Sequence, residues 1–381
     1  MTIPFRVGEL VTGEFFTDRV EEVERILGAM RDPTRLLVYG ERRQGKSSAI
    51  RFAAERFEQD GGVLLWVDVS TASSFGDIAR RLISSVPYSW VWRQDLQTKL
   101  LRASVRIEAR TDLAGNPVLA LALEPLPGST EHGKEELQRS VRVLDKLAEE
   151  RNVKIAIVLD EFQQIAELVD RGEWVLRDLM QTTHNLSFLC AGSRASLIDQ
   201  MLSKDGAFHR FFEPLNIRAM DPEHLAAWIG DRMRGSGVQP QDGVGHEIVR
   251  LVGPRTQDCL QLARAVFVAG QQEGAASVET VKAALRQSAM QDGDRFETAW
   301  SSLPRSQQLL LRAIALGEEE LFSSKTARKH GLPPSSSISR ALSALRAKRH
   351  IVEGEEPRID DPFFRVWILI RAMPDGLPGG S

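Results

Sequence analysis

The sequence predicts an α/β protein in which a parallel sheet core is followed by a helical segment and a small helix-turn-helix unit. Three observations indicate this fold class. Near-continuous apolar runs at residues 35–39, 63–69 and 154–159 are typical of parallel strands that helices cover on both faces. Only helical patterns fill residues 223–287. After residue 296 the elements follow the order helix, helix, turn, helix and hairpin, which is that of a winged helix-turn-helix.

The composition is that of an ordinary globular protein. The 381 residues suffice for two or three domains, with 42% hydrophobic and 27% charged residues, and the net charge of −3 argues against wholesale attraction to nucleic acid. Cys190 and Cys259 are the two cysteines, and because both fall in apolar segments we expect buried free thiols and a reducing, cytoplasmic setting. No run approaches the about 20 apolar residues of a membrane span, so we expect no membrane association.

The first elements along the chain lead into a glycine-rich loop. An amphipathic helix is predicted within residues 15–30, and the strand at 35–39 then runs into Gly-x-x-x-x-Gly-Lys-Ser and a further helix. Such a loop turns backbone N–H groups toward a phosphate chain, and the helix N-terminus adds its positive dipole end. We therefore expect ATP and Mg²⁺ to bind here, with Lys46 on the β and γ phosphates and Ser47 on the metal. The loop consists of Gly40, Glu41, Arg42, Arg43, Gln44, Gly45, Lys46, Ser47 and Ser48.

Residues 87–133 depart from the alternation of strand and helix. Residues 105–110 alternate apolar and polar side chains, a turn follows, and residues 118–123 indicate a returning strand. We expect a β-hairpin inserted in the sheet core. We expect it to serve as an edge extension or a docking surface rather than in catalysis, because no reactive set of residues accompanies it.

Two later strands end in polar residues at the same edge of the expected sheet. The run at 154–159 ends in Asp160 and Glu161. A carboxylate beside the phosphate loop holds Mg²⁺ through its water shell, the role we assign to Asp160, while Glu161 orients and deprotonates the attacking water. The next strand ends at Ser193, which either contacts the γ-phosphate or the water, or caps the helix at 195–202; both roles can hold at once.

Several arginines are candidates for contacts to the nucleotide. Arg210 precedes a last short strand and can reach the γ-phosphate of a neighbouring subunit, with Arg194 and Arg218 as alternatives. A structural ion pair is an equal alternative for each of them. Arg255 starts a helix of the segment that we interpret as a lid, where it contacts the nucleotide or serves as capping and surface charge.

The last unit carries a concentration of positive charge. Between Leu321 and His350 there are seven Lys or Arg and no Asp or Glu, which makes double-stranded DNA a candidate partner. A protein-protein role is the alternative, because Glu353, Glu355 and Glu356 place negative charge on the expected wing. The basic residues are Lys325, Arg328, Lys329, Arg340, Arg346, Lys348 and Arg349.

Four motifs are specific enough to indicate a family: the paired Arg42 and Arg43, Leu159-Asp160-Glu161-Phe162-Gln163, Gly192-Ser193 and Asp360-Asp361-Pro362-Phe363-Phe364-Arg365-Val366-Trp367. With these motifs, the chain resembles the archaeal-type ATPase family, which belongs to the signal-transduction ATPases related to AAA+ proteins and origin-recognition-type initiators. The resemblance implies a P-loop NTPase core of AAA+ type, a helical lid and a winged helix. The patterns along the chain place the core at 1–218 with the insertion at about 87–133, the lid at 219–292 and the winged helix at 293–373, and residues 374–381 indicate a disordered tail.

The expected function is that of an ATP-binding, slowly hydrolysing molecular switch. Its nucleotide state would set the positions of the lid and the winged helix, and would govern self-association or binding of a protein partner. The alternatives are a DNA-binding regulator or loader, and a scaffold ATPase in a defence or signalling complex.

Overall fold

The computed structural model describes residues 3–5, 19–87, 98, 107–111, 117–121, 130–168, 171–193, 195–352 and 356–372. The chain divides into two compact units. We call Leu10–Arg218 the sheet unit, and Met1–Glu9 with Ala219–Ser381 the helical unit. Phe15 to Asp18, Tyr88 to Trp92, Arg194, Glu353, Glu355 and the tail at 374–381 lie outside the described residues.

The sheet unit is built on five parallel strands in the order β2-β5-β6-β1-β7. Its elements are α1 (Val20–Arg31), β1 (Arg35–Tyr39), α2 (Lys46–Gln59), β2 (Val63–Asp68), α3 (Phe75–Ser84), β3 (Ile107–Thr111), β4 (Pro117–Leu121), α4 (Thr130–Arg151), β5 (Ile155–Asp160), α5 (Ile165–Leu168), α6 (Gly172–Gln181), β6 (Leu186–Gly192), α7 (Ala195–Leu202) and β7 (Glu213–Asn216). The parallel sheet that the apolar runs predict is thus confirmed.

Helices bury both faces of this sheet. Successive residues of a strand point to opposite faces, so Ile157 belongs to a core that α3, α4, α6 and α7 cover, whereas Val158 belongs to a core beneath α1 and α2. All seven residues of β6 are buried, as expected for a central parallel strand. Cys190 of β6 is a buried free thiol, as is Cys259 of the helical unit, and burial raises the pKa of both.

The strand order brings the polar strand ends together. Strand β6 lies between β5 and β1, with Leu159 opposite Cys190 and Tyr39 opposite Gly192. The loop after β1, the carboxylates after β5 and Ser193 after β6 therefore share the carboxyl edge of the sheet. In open parallel sheets, ligands bind at this edge.

The predicted hairpin is present, but it forms a sheet of its own. Strands β3 and β4 pair antiparallel, from Ile107 opposite Leu121 to Thr111 opposite Pro117. The pair is separate from the five-stranded sheet, and β4 lies beside α3. Among the described residues the hairpin is not an edge extension of the main sheet, and a role as a docking surface stays a prediction.

The helical unit contains two groups of helices. The first comprises α8 (Pro222–Gly235), β8 (Gln239–Pro240), α9 (Val244–Val252), α10 (Thr256–Gly270), β9 (Ala275–Ala276) and α11 (Val278–Gln291). The two short strands pair in parallel and interrupt the wholly helical pattern that the sequence predicts. Phe5 is buried against Trp228 and Phe267, so this N-terminal residue packs within the helical unit, whereas the sequence placed residues 1–218 together in the core.

The second group has the element order of a winged helix. It comprises α12 (Gly293–Ser301), α13 (Arg305–Ala315), α14 (Ser324–His330), α15 (Ser335–Ala347) and α16 (Pro362–Ala372). In place of the predicted hairpin at 351–359, the described residues form one antiparallel bridge between Ile351 and Ile359. Asp361 starts α16 by accepting hydrogen bonds from the N–H groups of Phe363 and Phe364, and Pro362 occupies the first helical position. None of the described helices is long and apolar enough to cross a membrane.

Candidate functional site

The loop after β1 adopts a backbone that two of its glycines make possible. Gly45 is left-handed at φ +84° and forms the N-cap of α2. A Cβ at Gly40 would stand 2.2 Å from the carbonyl oxygen of Ile217, so no larger residue fits there. No side chain caps α2, whose N-cap is a glycine, and the N–H groups at a helix N-terminus point toward a bound anion. This is the cradle that a phosphate chain requires.

Lys46 is buried within this loop. Its Nζ donates hydrogen bonds to the carbonyl oxygens of Gly40 at 3.0 Å and Glu41 at 2.7 Å. Burial lowers the pKa of Lys46 to about 8, against the opposing charges of Glu161 and Asp160. The ammonium group thus lies in the field of both carboxylates that the sequence assigned to the site.

Ser47 and Asp160 meet across 113 positions of sequence. The Ser47 hydroxyl donates to Asp160 Oδ2 at 3.1 Å. Burial raises the pKa of the Asp160 carboxyl, while hydrogen bonds from the Glu161 N–H and the Ser47 hydroxyl oppose this shift. A hydroxyl beside a carboxylate is the oxygen set that suits Mg²⁺, which takes its remaining ligands from phosphate and water. The described residues contain no cluster of three or more His, Cys, Asp or Glu that would form an all-protein metal cage.

Glu161 and Ser193 form a second pair beside the first. Glu161 is left-handed at φ +52°, an uncommon conformation for a side chain other than glycine that is concentrated at functional sites. Ser193 Oγ lies 3.3 and 3.4 Å from the two carboxylate oxygens of Glu161. Ser193 stands two residues before α7, which begins at Ala195, so its described contact favours the site role over the capping role.

The remaining loop residues frame the cradle. Glu41 and Arg42 are exposed, whereas Arg43 and Ser48 are half-buried. Gln44 is buried; its Nε2 donates to Glu41 Oε2 at 3.5 Å, and among the described residues its Oε1 is buried without a hydrogen-bond partner. An orphaned acceptor of this kind in a phosphate loop is consistent with a ligand or water completing the site.

Arg210 occupies a turn that aromatic rings anchor to the Glu161 segment. Phe208 and Phe212 pack on Phe162, the residue after Glu161, with ring centroids 5.2 and 5.8 Å away. Arg210 itself is exposed, left-handed at φ +52°, and makes no ion pair with another described residue. The structural ion pair is therefore not observed, and a contact in trans stays a prediction. The Arg218 side chain is also exposed, and Arg194 lies outside the described residues.

Arg255 has a defined partner inside the helical unit. Its Nη1 donates to the backbone oxygen of Asp360 at 2.6 Å and to Asp360 Oδ1 at 2.9 Å, and it lies 3.9 Å from Asp258 Oδ2. The side chain is 15% exposed, so it is not a surface charge. The contact links the start of α10 to the segment that precedes α16. A contact to nucleotide stays a prediction.

Sequence reasoning missed two residues of this region. Arg19 is buried, and its Nη2 donates to the carbonyl oxygens of Gln44 at 3.0 Å and Arg218 at 2.9 Å, which braces the phosphate loop. The second is Gln163, whose side chain is buried between Glu161 and Ser193. The only sequence signal was an arginine directly before an amphipathic helix and a glutamine inside a mostly apolar segment.

The basic residues of α14 and α15 are partly compensated by acidic neighbours. Lys329 and His330 both hydrogen-bond Glu318, which lowers the pKa of that carboxyl to about 2. Arg340 is exposed on α15, beside the exposed Ser339. The seven-residue count thus overstated the free positive charge, because Glu318 stands just outside the counted segment. The exposed basic residues are Lys325, Arg328, Lys329, Arg340 and Lys348; Arg346 and Arg349 are half-buried.

Comparison with known proteins identifies the family. A model of an ATPase domain found predominantly in Archaea matches residues 16–229, which is more than half of the chain. The chain belongs to this ATPase family. A second model, of a probable winged helix domain, matches residues 294–370. The resemblance stated from the motifs is therefore confirmed, and this archaeal-type ATPase carries its winged helix at the C-terminal end.

Solved structures share the fold of this ATPase at low sequence identity. The Walker-type ATPase PABY2304 of Pyrococcus abyssi is 19% identical, with a TM-score of 0.65 over 96% of this chain and 99% of that one. The ORC2 protein of Aeropyrum pernix, solved in ADPNP–ADP complexes, is 13% identical, with a TM-score of 0.58 over 97% and 100%. The ORC1 protein of Aeropyrum pernix in complex with DNA is 15% identical, with a TM-score of 0.52 over 96% and 94%. No curated protein sequence matches the chain.

Proposed function

We propose that this protein is a molecular switch that binds Mg²⁺ and ATP at the loop after β1 and hydrolyses ATP slowly. The observation that carries the proposal is the meeting of two pairs at one sheet edge, Ser47 with Asp160 and Glu161 with Ser193. Neither pair is close in sequence, and both lie where Lys46 faces the carboxylates. The family supports ATPase activity of this kind.

Each residue has a distinct task in the proposed reaction. The N–H groups at the start of α2 and the Lys46 ammonium bind the phosphate chain and counter its negative charge. Ser47 and Asp160 would hold Mg²⁺, which would supply positive charge to the phosphate oxygens. One carboxylate oxygen of Glu161 accepts a proton from the attacking water as the water oxygen bonds to the γ-phosphorus; the bond from that phosphorus to the β,γ-bridging oxygen breaks, and ADP and phosphate are the products. The Ser193 hydroxyl holds that carboxylate or the water in place.

Phosphate release by three proteins tests this assignment. Wild type should release phosphate from ATP in the presence of Mg²⁺. Lys46→Ala should lose nucleotide binding, whereas Glu161→Gln should still bind ATP and stop turnover. Lys154→Ala, which changes an exposed lysine just before β5, is the matched control and should behave as wild type. Full turnover by Glu161→Gln would remove its assigned role.

We also propose that the nucleotide state changes the position of the winged helix. The support is the contact between Arg255 and Asp360, which joins the start of α10 to the residue two positions before α16. A ligand that attracts Arg255 must compete with Asp360 for the same guanidinium. Asp360→Asn weakens the competing partner, so it should tighten ATP binding if Arg255 contacts nucleotide. Unchanged affinity in Asp360→Asn, together with unchanged affinity in Arg255→Ala, would contradict this coupling.

Self-association belongs to the same proposal. Arg210 is exposed on a turn that packs on Phe162 through Phe208 and Phe212, an arrangement that can present a guanidinium to a second copy of the chain. Light scattering with and without ATP should show a larger particle with ATP. Arg210→Ala should keep ATP binding and lose turnover that depends on protein concentration. A single particle size in both conditions, with turnover independent of concentration, would count against a contact in trans.

A second candidate function is DNA binding by the winged helix. It is favoured by the exposed basic residues of α14 and α15, and the ORC1 protein of Aeropyrum pernix, which shares this fold, was solved with DNA. Titration of duplex DNA at several salt concentrations separates the two candidates, because phosphate contacts produce a steep loss of affinity with salt. Arg340→Ala should reduce that slope. Absence of binding at low salt would remove this candidate.

A further inference from the structure

The side chain of Gln163 bridges the two strand ends that carry Glu161 and Ser193. Its exposed fraction is 0%. Nε2 donates a hydrogen bond to Glu161 Oε2 at 2.5 Å, and Oε1 accepts one from the Ser193 N–H at 3.3 Å. One buried amide therefore contacts both members of the pair that the proposed reaction assigns to the attacking water.

The chemistry of this position calls for an amide. A carboxylate accepts hydrogen bonds and a backbone N–H donates them, so the bridging group must present a donor on one side and an acceptor on the other. The side chain of glutamine does this in one orientation only. The reverse orientation would place the amide oxygen against the Glu161 carboxylate and the amide nitrogen against the Ser193 N–H.

The surrounding residues leave room for the amide and fix its direction. A Cβ at Gly192 would stand 2.7 Å from Gln163 Oε1 and 2.6 Å from Ile198 Cδ1. Glycine at the end of β6 is thus needed to admit the amide. On the other side, Phe162 is buried against Phe208, which holds the short turn between Glu161 and Gln163 in place.

We propose that Gln163 is a positioning residue, which fixes the orientation of the Glu161 carboxylate and ties it to Ser193. This inference rests on the proposed ATPase function and deepens it, because it names the residue that sets the direction of the proton-accepting oxygen. With the bridge in place, the ends of β5 and β6 present their polar groups as one rigid set. Without it, the Glu161 side chain rotates away from the water and turnover falls, although nucleotide still binds.

Gln163→Leu keeps the size of the side chain and removes both hydrogen bonds. We expect its kcat to fall about 10- to 100-fold, up to the loss that a misplacement of about 1 Å causes, with KM and the Kd for ATP within about twofold of wild type. Gln164→Leu is the matched control, because it makes the same change at the adjacent, half-buried residue. In nucleotide-free protein, the Ser193 amide of Gln163→Leu should exchange hydrogen faster than in wild type and in the control.

Gln163→Glu tests the charge of the bridge while its shape is kept. The new carboxylate would lie against that of Glu161, with Lys46 and Asp160 as the other charged groups that face Glu161. A carboxylate cannot donate a hydrogen bond to the carboxylate of Glu161, so kcat should fall at least as far as in Gln163→Leu. Gln164→Glu, which adds the same charge at the adjacent half-buried residue, should behave as wild type.

Gly192→Ala disturbs the bridge while Gln163 itself is left in place. Its added methyl displaces the Gln163 amide, so the loss of kcat should match that of Gln163→Leu, and the double variant should lose little more than either alone. Turnover and Ser193 exchange in Gln163→Leu equal to those of wild type would overturn this inference and leave the ATPase function standing. A wild-type chain that releases no phosphate would overturn the proposed function, and the inference with it.

Discussion

Replacement of Lys46 by methionine should stabilise the nucleotide-free protein at neutral pH while it abolishes ATP binding. Burial lowers the pKa of Lys46 from 10.5 to about 8. At about 1.4 kcal/mol per pH unit, a charged ammonium at pH 7 costs the folded chain about 3 kcal/mol. The hydrogen bonds from Nζ to the Gly40 and Glu41 carbonyls contribute about 1 kcal/mol each in the other direction. Lys46→Met should therefore gain about 1 kcal/mol at pH 7.

The pH dependence of this difference is the diagnostic quantity. Below pH 8, both the folded and the unfolded chain carry the proton on Lys46, so the full cost applies. Between pH 8 and 10.5 the folded chain releases the proton first, and the wild type gains stability as the pH rises. At pH 9 the cost has fallen to about 2 kcal/mol, so wild type and Lys46→Met should be about equally stable there.

Urea denaturation of the full chain without nucleotide, at pH 7 and pH 9, measures both differences. Lys154→Met is the control for loss of an exposed lysine and should leave the free energy of unfolding unchanged at both pH values. Mg²⁺ and ATP at about 100 times Kd should stabilise wild type by about 2.7 kcal/mol and leave Lys46→Met unaffected. A Lys46→Met protein that is less stable than wild type at pH 7, with no trend between the two pH values, would refute the reasoning.

Three further predictions concern the loop and its supports. Gly40→Ala places a Cβ 2.2 Å from the carbonyl oxygen of Ile217, so the Kd for ATP measured by calorimetry should rise at least about tenfold. An unchanged Kd would contradict the role given to this glycine. Arg19→Leu leaves two carbonyls without their donor and should lower the free energy of unfolding by about 1–3 kcal/mol per carbonyl. The control is Arg25→Leu, which removes an exposed arginine and should leave the free energy of unfolding within about 0.5 kcal/mol of wild type. In the presence of a chelator, Ser47→Ala should bind ATP as wild type does. Mg²⁺ should not increase its affinity for ATP, since Asp160 loses its oxygen partner. An equal increase in both proteins would exclude Ser47 as a ligand of Mg²⁺.

The parts of the structure that local patterns encode could be predicted from the sequence. Strand β1, its loop and α2 form one local motif, and β5 is a buried run with a polar end, so each is visible within a short window. Their meeting at one sheet edge followed from the rule that parallel strands present their carboxyl ends together. The residues of α16 were quoted only as a motif, and no helix was predicted over the residues of α12, so neither was recognised as a helix.

The parts that depend on distant contacts could not be predicted. Arg19 reaches a carbonyl 199 positions away, and periodicity carries no information on such a pair. The strands β8 and β9 have two residues each, which is too short a run for strand propensity to mark in the sequence. Gln163 is buried because the end of β6 lies close to the turn after β5, and no short stretch of sequence predicts that contact.

The most direct test of the proposed site is the chemical identity of the nucleotide that each protein retains. Wild type and Glu161→Gln are incubated with Mg²⁺ and ATP, separated from free nucleotide by rapid gel filtration, and the bound nucleotide is identified by chromatography after denaturation. We expect ADP on wild type, intact ATP on Glu161→Gln, and no nucleotide on Lys46→Ala. Intact ATP on wild type, or ADP formed on Glu161→Gln as fast as on wild type, would contradict the assignment of this edge of the sheet as an ATP-hydrolysing site.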